Sequence, residues 1–182
     1  MNPLIALVGA FLLAGNAQAA PAPEPLPAIE TPAYEVKLTA YNAVAAQTDN
    51  DPFVTASGAF SNPEVVAARS KDLADKLPFG TIISIERTAE ATPTCGLNLV
   101  AHQVGYRVIA DSMNSRKVNQ VDVLLNQNDT VSHEGRAVNP SLVLGICDSV
   151  TIHVVGHVDL KDIPKTQEDL ARLVEGSTLA VR

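Results

Sequence analysis

A mainly β domain, closed into a small barrel rather than split into a sandwich, is what this sequence predicts, on three observations. β-branched runs recur at irregular spacing, only one segment reads as a full helix, and the connections are long, polar and rich in Asn, Asp, Ser, Gly and Pro. The predicted barrel occupies residues 34–160, and residues 161–182 add a C-terminal helix.

The elements follow in order. YEVKLTAYNAV (34–44) alternates and carries Val, Tyr and Thr, so it reads as a strand. QTDNDP (47–52) is a loop closed by Asp-Pro, and TASGAFSNP (55–63) is a small-residue loop in which Gly58 permits a turn or close approach to a ligand. EVVAARS (64–70) reads as a strand and SKDLADKLP (70–78) as a short helical turn stopped at Pro78. GTIISIERT (80–88) is a strand with β-branched residues at its middle, and ATPTCG (91–96) is a turn. QVGYRVIA (103–110), QVDVLL (120–125) and DSVTIHVVGHV (148–158) are the remaining strands. Between the last two lie a loop (126–140) and a short helical turn, SLVLGI (141–146). KTQEDLARLVEG (165–176) is the terminal helix, capped by Thr166 with Asp169 and ended by Gly176.

Upstream of the domain, LIALVGAFLLA (4–14) is too short to span a bilayer, and Ala17-Gln18-Ala19 follows it in an A-x-A pattern. Residues 1–19 therefore read as a secretory signal peptide, although no Lys or Arg precedes the apolar run. Residues 20–33 carry five prolines and read as an extended linker. The expected location is the periplasm, cell envelope or exterior, with no stable membrane span.

The formal net charge of −7 argues against nucleic acid as a partner. In an oxidising compartment Cys95 and Cys147 are expected to form a disulfide, two buried free thiols being the alternative. No cofactor is expected, nor a metal: His153 and His157 lie four residues apart on a strand, about 13 Å, and Asp49-x-Asp51 lacks further acids for calcium. His102 and His133 have no partner at ligand spacing. The Asn128-Asp129-Thr130 sequon is read as chance, and a monomer is expected.

Asp111 and Asp122 stand eleven residues apart, each at the edge of an apolar run. If their strands are neighbours, both carboxylates face one groove. Two like charges held close, together with burial, raise the pKa of one of them, and a carboxylic acid that keeps its proton near neutral pH can protonate a leaving-group oxygen. Two solvated turn residues are the alternative.

Five stretches bear on that choice: KLTAYNAV (37–44), TASG (55–58), LPFGTIISI (77–85), IADSMN (109–114) and NQVDVLL (119–125). In this order they resemble the three-aspartate ("3D") domain of bacterial cell-wall proteins, which is related to the catalytic core of membrane-bound lytic transglycosylase A and to RlpA-like barrels. The resemblance covers about residues 36–156. It implies a six-stranded double-psi β-barrel with short helical turns. It also implies an exported lytic transglycosylase acting on peptidoglycan glycan strands, cleaving the MurNAc–GlcNAc bond to a 1,6-anhydro product. Asp122, in Val121-Asp122-Val123, would be the acid/base, and Asp111 would orient the sugar and tune it. The chain departs from the family pattern in the stretch after Asp111, which has none of its glycines, and in the first family aspartate, for which Asp72 is the nearest candidate. A non-catalytic wall-binding or structural barrel is therefore the alternative reading.

Thr39, Tyr41, Thr55, Ser57, Gly58, Asn114 and Arg116 are the expected glycan-binding residues beside the two aspartates. Tyr41 offers a stacking face, and Arg116 with Lys117 offers cations for a lactyl or peptide-stem carboxylate. For Thr39 and Tyr41 the alternative is plain β-propensity, and for the two cations a solvated loop.

Overall fold

Val36 and Leu38 are buried while Lys37 between them and Thr39 after them are partly open, so the first strand, β1 (Ala33–Asn42), turns alternate side chains to opposite faces. The computed structural model describes residues 31–44, 51–89 and 92–180, with side chains described to residue 176. The expected signal peptide, most of the linker and Asp49 lie outside the described residues.

After β1 come β2 (Val66–Arg69), β3 (Thr81–Arg87), β4 (Arg107–Ser112), β5 (Gln120–Leu125), β6 (Val131–His133), β7 (Arg136–Val138) and β8 (Cys147–His157). Six of them close a barrel in the order β1-β5-β2-β4-β3-β8, while β6 and β7 form a separate hairpin. β1/β5 and β2/β4 run parallel, and the other barrel pairs are antiparallel. The expected closed, mainly β fold is what the chain forms. Among the described residues no helix is long and apolar enough to cross a membrane.

Among the described residues three α-helices accompany the barrel: α1 (Leu97–Val104), α2 (Pro140–Leu144) and α3 (Gln167–Ala180). α3 starts as expected, with the Thr166 hydroxyl oxygen accepting the Asp169 N–H at 3.1 Å. It buries Leu170 and Val174, four residues apart and so on one face, against the cluster containing Tyr41, Ala68 and Val108. It does not stop at Gly176, because a glycine lowers helix propensity by only about 1 kcal/mol and ends a helix only where the chain turns left-handed.

Two further departures have clear causes. Gln103 and Val104, expected to start a strand, instead end α1, and Gly105 (φ 51°) breaks the chain direction before β4 begins at Arg107. The expected loop 126–140 contains the β6/β7 hairpin, whose turn residues Glu134 and Gly135 both take positive φ, 51° and 75°.

Two features tie the elements together. Cys95 and Cys147 form the disulfide, with Cα atoms 4.5 Å apart, linking the turn before α1 to the start of β8. Closing so long a loop stabilises by roughly 4 kcal/mol in the chain-entropy model. Gly80 ends the Pro-Phe-Gly-Thr turn into β3 at φ 92°, where a Cβ would lie 2.4 Å from the Val158 carbonyl oxygen, so no side chain fits.

Arg107 is wholly buried, and its guanidinium is met by carbonyl groups. Nε donates to Val104 O at 2.5 Å, Nη1 to Pro63 O at 2.7 Å and Leu124 O at 3.0 Å, and Nη2 to Gln103 O. One side chain thus satisfies the C-terminal carbonyls of α1 and fastens them to β5 and to the turn before β2. Burial pushes it down to about 9, so it remains charged at neutral pH. Lysine presents its donors from one nitrogen and cannot span these carbonyls. Arg107→Lys is therefore expected to cost about 3 kcal/mol or more in urea unfolding; a loss under about 1 kcal/mol would show that the carbonyls do not depend on the fork.

Candidate active site

Strand register, more than sequence spacing, brings the two aspartates together. β4 and β5 are not neighbours, contrary to the condition set on the sequence; β2 lies between them. Ala68 of β2 pairs with Asp122 on one side and with Asp111 on the other. Cross-strand partners share a face, so both carboxylates stand on the Ala68 side, with Cα atoms two strand spacings apart, about 10 Å. Thr39 of β1 pairs with Asp122 from the far side.

A β-bulge makes this possible. Ala67 pairs with Ile109 but Ala68 with Asp111, so Ala110 is the extra residue. Without it Asp111 would stand opposite Arg69 and point to the other face. The bulge is held from outside, since Ser57 N–H donates to Ala110 O at 3.2 Å and Gly80 N–H to Ile109 O at 2.8 Å.

The two carboxylates then meet different surroundings. Asp111 accepts three bonds: Ala56 N–H and Ser112 N–H on Oδ1, both at 2.8 Å, and the Tyr41 hydroxyl on Oδ2 at 2.9 Å. Burial and then the neighbouring Asp111 push the Tyr41 phenol far up, so it remains a donor. Asp122 accepts one bond, from the Thr39 hydroxyl to Oδ1 at 2.8 Å, and no bond reaches Oδ2 among the described residues. Burial raises Asp122 to about 6, with Asp111 adding to the rise, while the Thr39 bond and the Lys117 charge oppose it.

Both aspartates line one open cleft of about 590 Å³, together with Tyr41, Ala68, Lys71 and Asn114. Of the expected binding residues, Tyr41 and Asn114 line the cleft. Tyr41 is 9 % exposed and its hydroxyl is engaged, so its ring does not present a stacking face. Thr39 acts through Asp122. Thr55, Ser57 and Gly58 build the loop that brings Ala56 to Asp111: Thr55 and Ser57 hydroxyls lie 3.0 Å apart, and Gly58 turns at φ 85°. Arg116 is exposed and donates from Nε to Asn114 Oδ1 at 3.4 Å, while Lys117 beside it lines the cleft. Asp72 lies outside the cleft lining, where its Oδ2 accepts Asn119 N–H at 3.0 Å and holds that residue at φ 48° ahead of β5.

Lys71, Ala68 and the Ala56 amide belong to the site without having been read from sequence. Loop closure and a bulge place them, and neither leaves a signature in residue order. Among the described residues no group of three His, Cys, Asp or Glu side chains could hold a metal ion.

No family model and no curated protein matches this chain. Its chemistry has to be read from the cleft.

A proton held more tightly in the folded than in the unfolded chain makes ionisation costly to folding. For Asp122 that cost is absent below the ordinary carboxylate value of 3.8 and complete above about 6. Asp122→Asn is accordingly expected to stabilise the protein by about 1–3 kcal/mol at pH 8 and to change little near pH 3. Thermal or urea unfolding at both pH values checks this, and an equal effect at the two would contradict it.

Proposed function

We propose that this protein is an exported peptidoglycan-active enzyme, a lytic transglycosylase with Asp122 as its acid/base. The observation that carries the reading is a carboxyl group raised to about 6 on the wall of an open cleft, with one oxygen bonded to Thr39 and the other unbonded. A group of that kind is protonated often enough near neutrality to donate, and its conjugate base is strong enough to take a proton back. The two parallel pairs of the barrel are compatible with a double-psi architecture, and the five sequence stretches resemble the three-aspartate domain. The Cys95–Cys147 disulfide suits an oxidising compartment.

In this reading Asp122 protonates the oxygen between N-acetylmuramic acid and N-acetylglucosamine. The C1–O bond breaks with its electron pair going to that oxygen, and positive charge develops on the muramyl ring. Ionised Asp122 then removes the proton from the C6 hydroxyl as O6 bonds to C1. The 1,6-anhydro product forms, Asp122 regains its proton, and no water is consumed. Asp111, with three donors fixing it, supplies a stationary negative charge near the developing cation.

One observation favours a second reading, a barrel that holds glycan strands without cutting them. Asp111 already spends three acceptor positions on the protein, and residues 112–119 contain no glycine to bring bare backbone against a sugar.

Incubation with purified sacculi separates the two. The enzyme reading expects anhydromuropeptides by mass spectrometry, a loss of about a hundredfold or more in Asp122→Asn, and a rate falling about tenfold per pH unit above the Asp122 titration. Wild-type protein that co-sediments with sacculi and releases no anhydro product would sink the enzyme and leave the binder.

A further inference from the structure

Thr39 has one proton to give and gives it to Asp122 Oδ1. Its oxygen in turn accepts the side-chain amide of Gln120, Nε2 to Oγ1 at 2.7 Å. Gln120 is 5 % exposed and stands two residues before Asp122 on β5, so the period of two puts both on one face. The three groups form a chain with one direction: amide to hydroxyl to carboxylate.

That direction has a consequence for the acid. A proton on Oδ1 would oblige Thr39 to accept rather than donate, and its own hydroxyl hydrogen would then need another acceptor. Among the described residues Thr39 donates to no acceptor other than Asp122. The amide of Gln120 occupies one of the two Thr39 lone pairs from the other side, which favours the hydroxyl hydrogen pointing toward Asp122. The proton of neutral Asp122 belongs on Oδ2.

We propose that Gln120 is a positioning residue, which acts through Thr39 to hold the exchangeable proton of Asp122 on the oxygen that makes no bond to the protein. This deepens the acid/base reading above and rests on it for its catalytic meaning, but proton placement exists without substrate. The other charged or titratable groups around Asp122 are Asp111 from β4, Tyr41 from β1, Lys117 from the segment after β4, and Lys71 at the cleft. None of them is altered by changes at Gln120 or Thr39.

The test is a carbon-13 NMR titration of the Asp122 carboxyl in the full chain, with amide spectra confirming that each variant is folded. Thr39→Val removes a bond that favours the charged form, so the midpoint is expected to rise by about one unit. Gln120→Leu leaves Thr39 donating but less polarised, and a rise of about 0.3 unit is expected. Gln120→Glu places a competing acceptor beside Thr39 and a negative charge near Asp122, so its midpoint should exceed that of Thr39→Val. A midpoint unmoved in Gln120→Leu overturns the proposal. A midpoint that falls also overturns it, because it would mean that the glutamine oxygen faces Thr39 and had been drawing the hydroxyl proton away. If Gln120→Glu does not raise the midpoint, the amide has no influence on the acid and the proposal fails. These outcomes are read without substrate, so a protein that cuts no glycan fails the functional reading and leaves this one to be judged by its own titration.

Discussion

The pairing of Ala68 with an aspartate on either side is the constraint on which the site depends. A strand pairs with two neighbours at most, and β2 spends both edges on the strands that carry Asp111 and Asp122. A slip of one residue in either register would turn a carboxylate to the opposite face. The methyl group of Ala68 matters for the same reason, since a larger side chain between the two acids would fill the cleft they line. The bulge at Ala110 is the local cost of this arrangement, and loop amides from Ser57 and Gly80 meet the carbonyls it disturbs.

Once aligned, the two acids are separated by hydrogen bonding more than by distance. Three donors converge on Asp111 and one on Asp122, although they stand on the same sheet face. Asp111 is surrounded by donors, whereas Asp122 keeps one oxygen without a bond among the described residues. The two buried cations among the described residues are held by carbonyls as well: Arg107 by those of three separate segments, and Arg69 by Leu77 O and Ser70 O.

Much of this was readable in the residues themselves. Alternation in 34–44 located β1, the β-branched run 120–125 located β5, and the eleven-residue spacing drew attention to two acids that the fold brings to one cleft. The period of two also placed Gln120 beside Asp122, a signal available in the sequence and passed over. What stayed hidden depends on non-local geometry: β2 inserted between β4 and β5, the bulge at Ala110, and Lys71 folding over to the cleft. The short helix Leu97–Val104 escaped because its eight residues are too few for a clear period and it runs directly into a β-branched strand.

The order of the barrel also governs how it is made. β1 pairs with β5 and β8, so Lys37 must wait for Gln120 and Val36 for Val150 before either edge is covered. Such distant pairings delay closure, because chain entropy is lost before the contacts are gained. Until β8 docks, β1 and β3 are both open sheet edges, able to take up a strand from another molecule. A nascent or truncated chain that ends before Cys147 is therefore a template for aggregation, and the last strand is the seal that ends that risk.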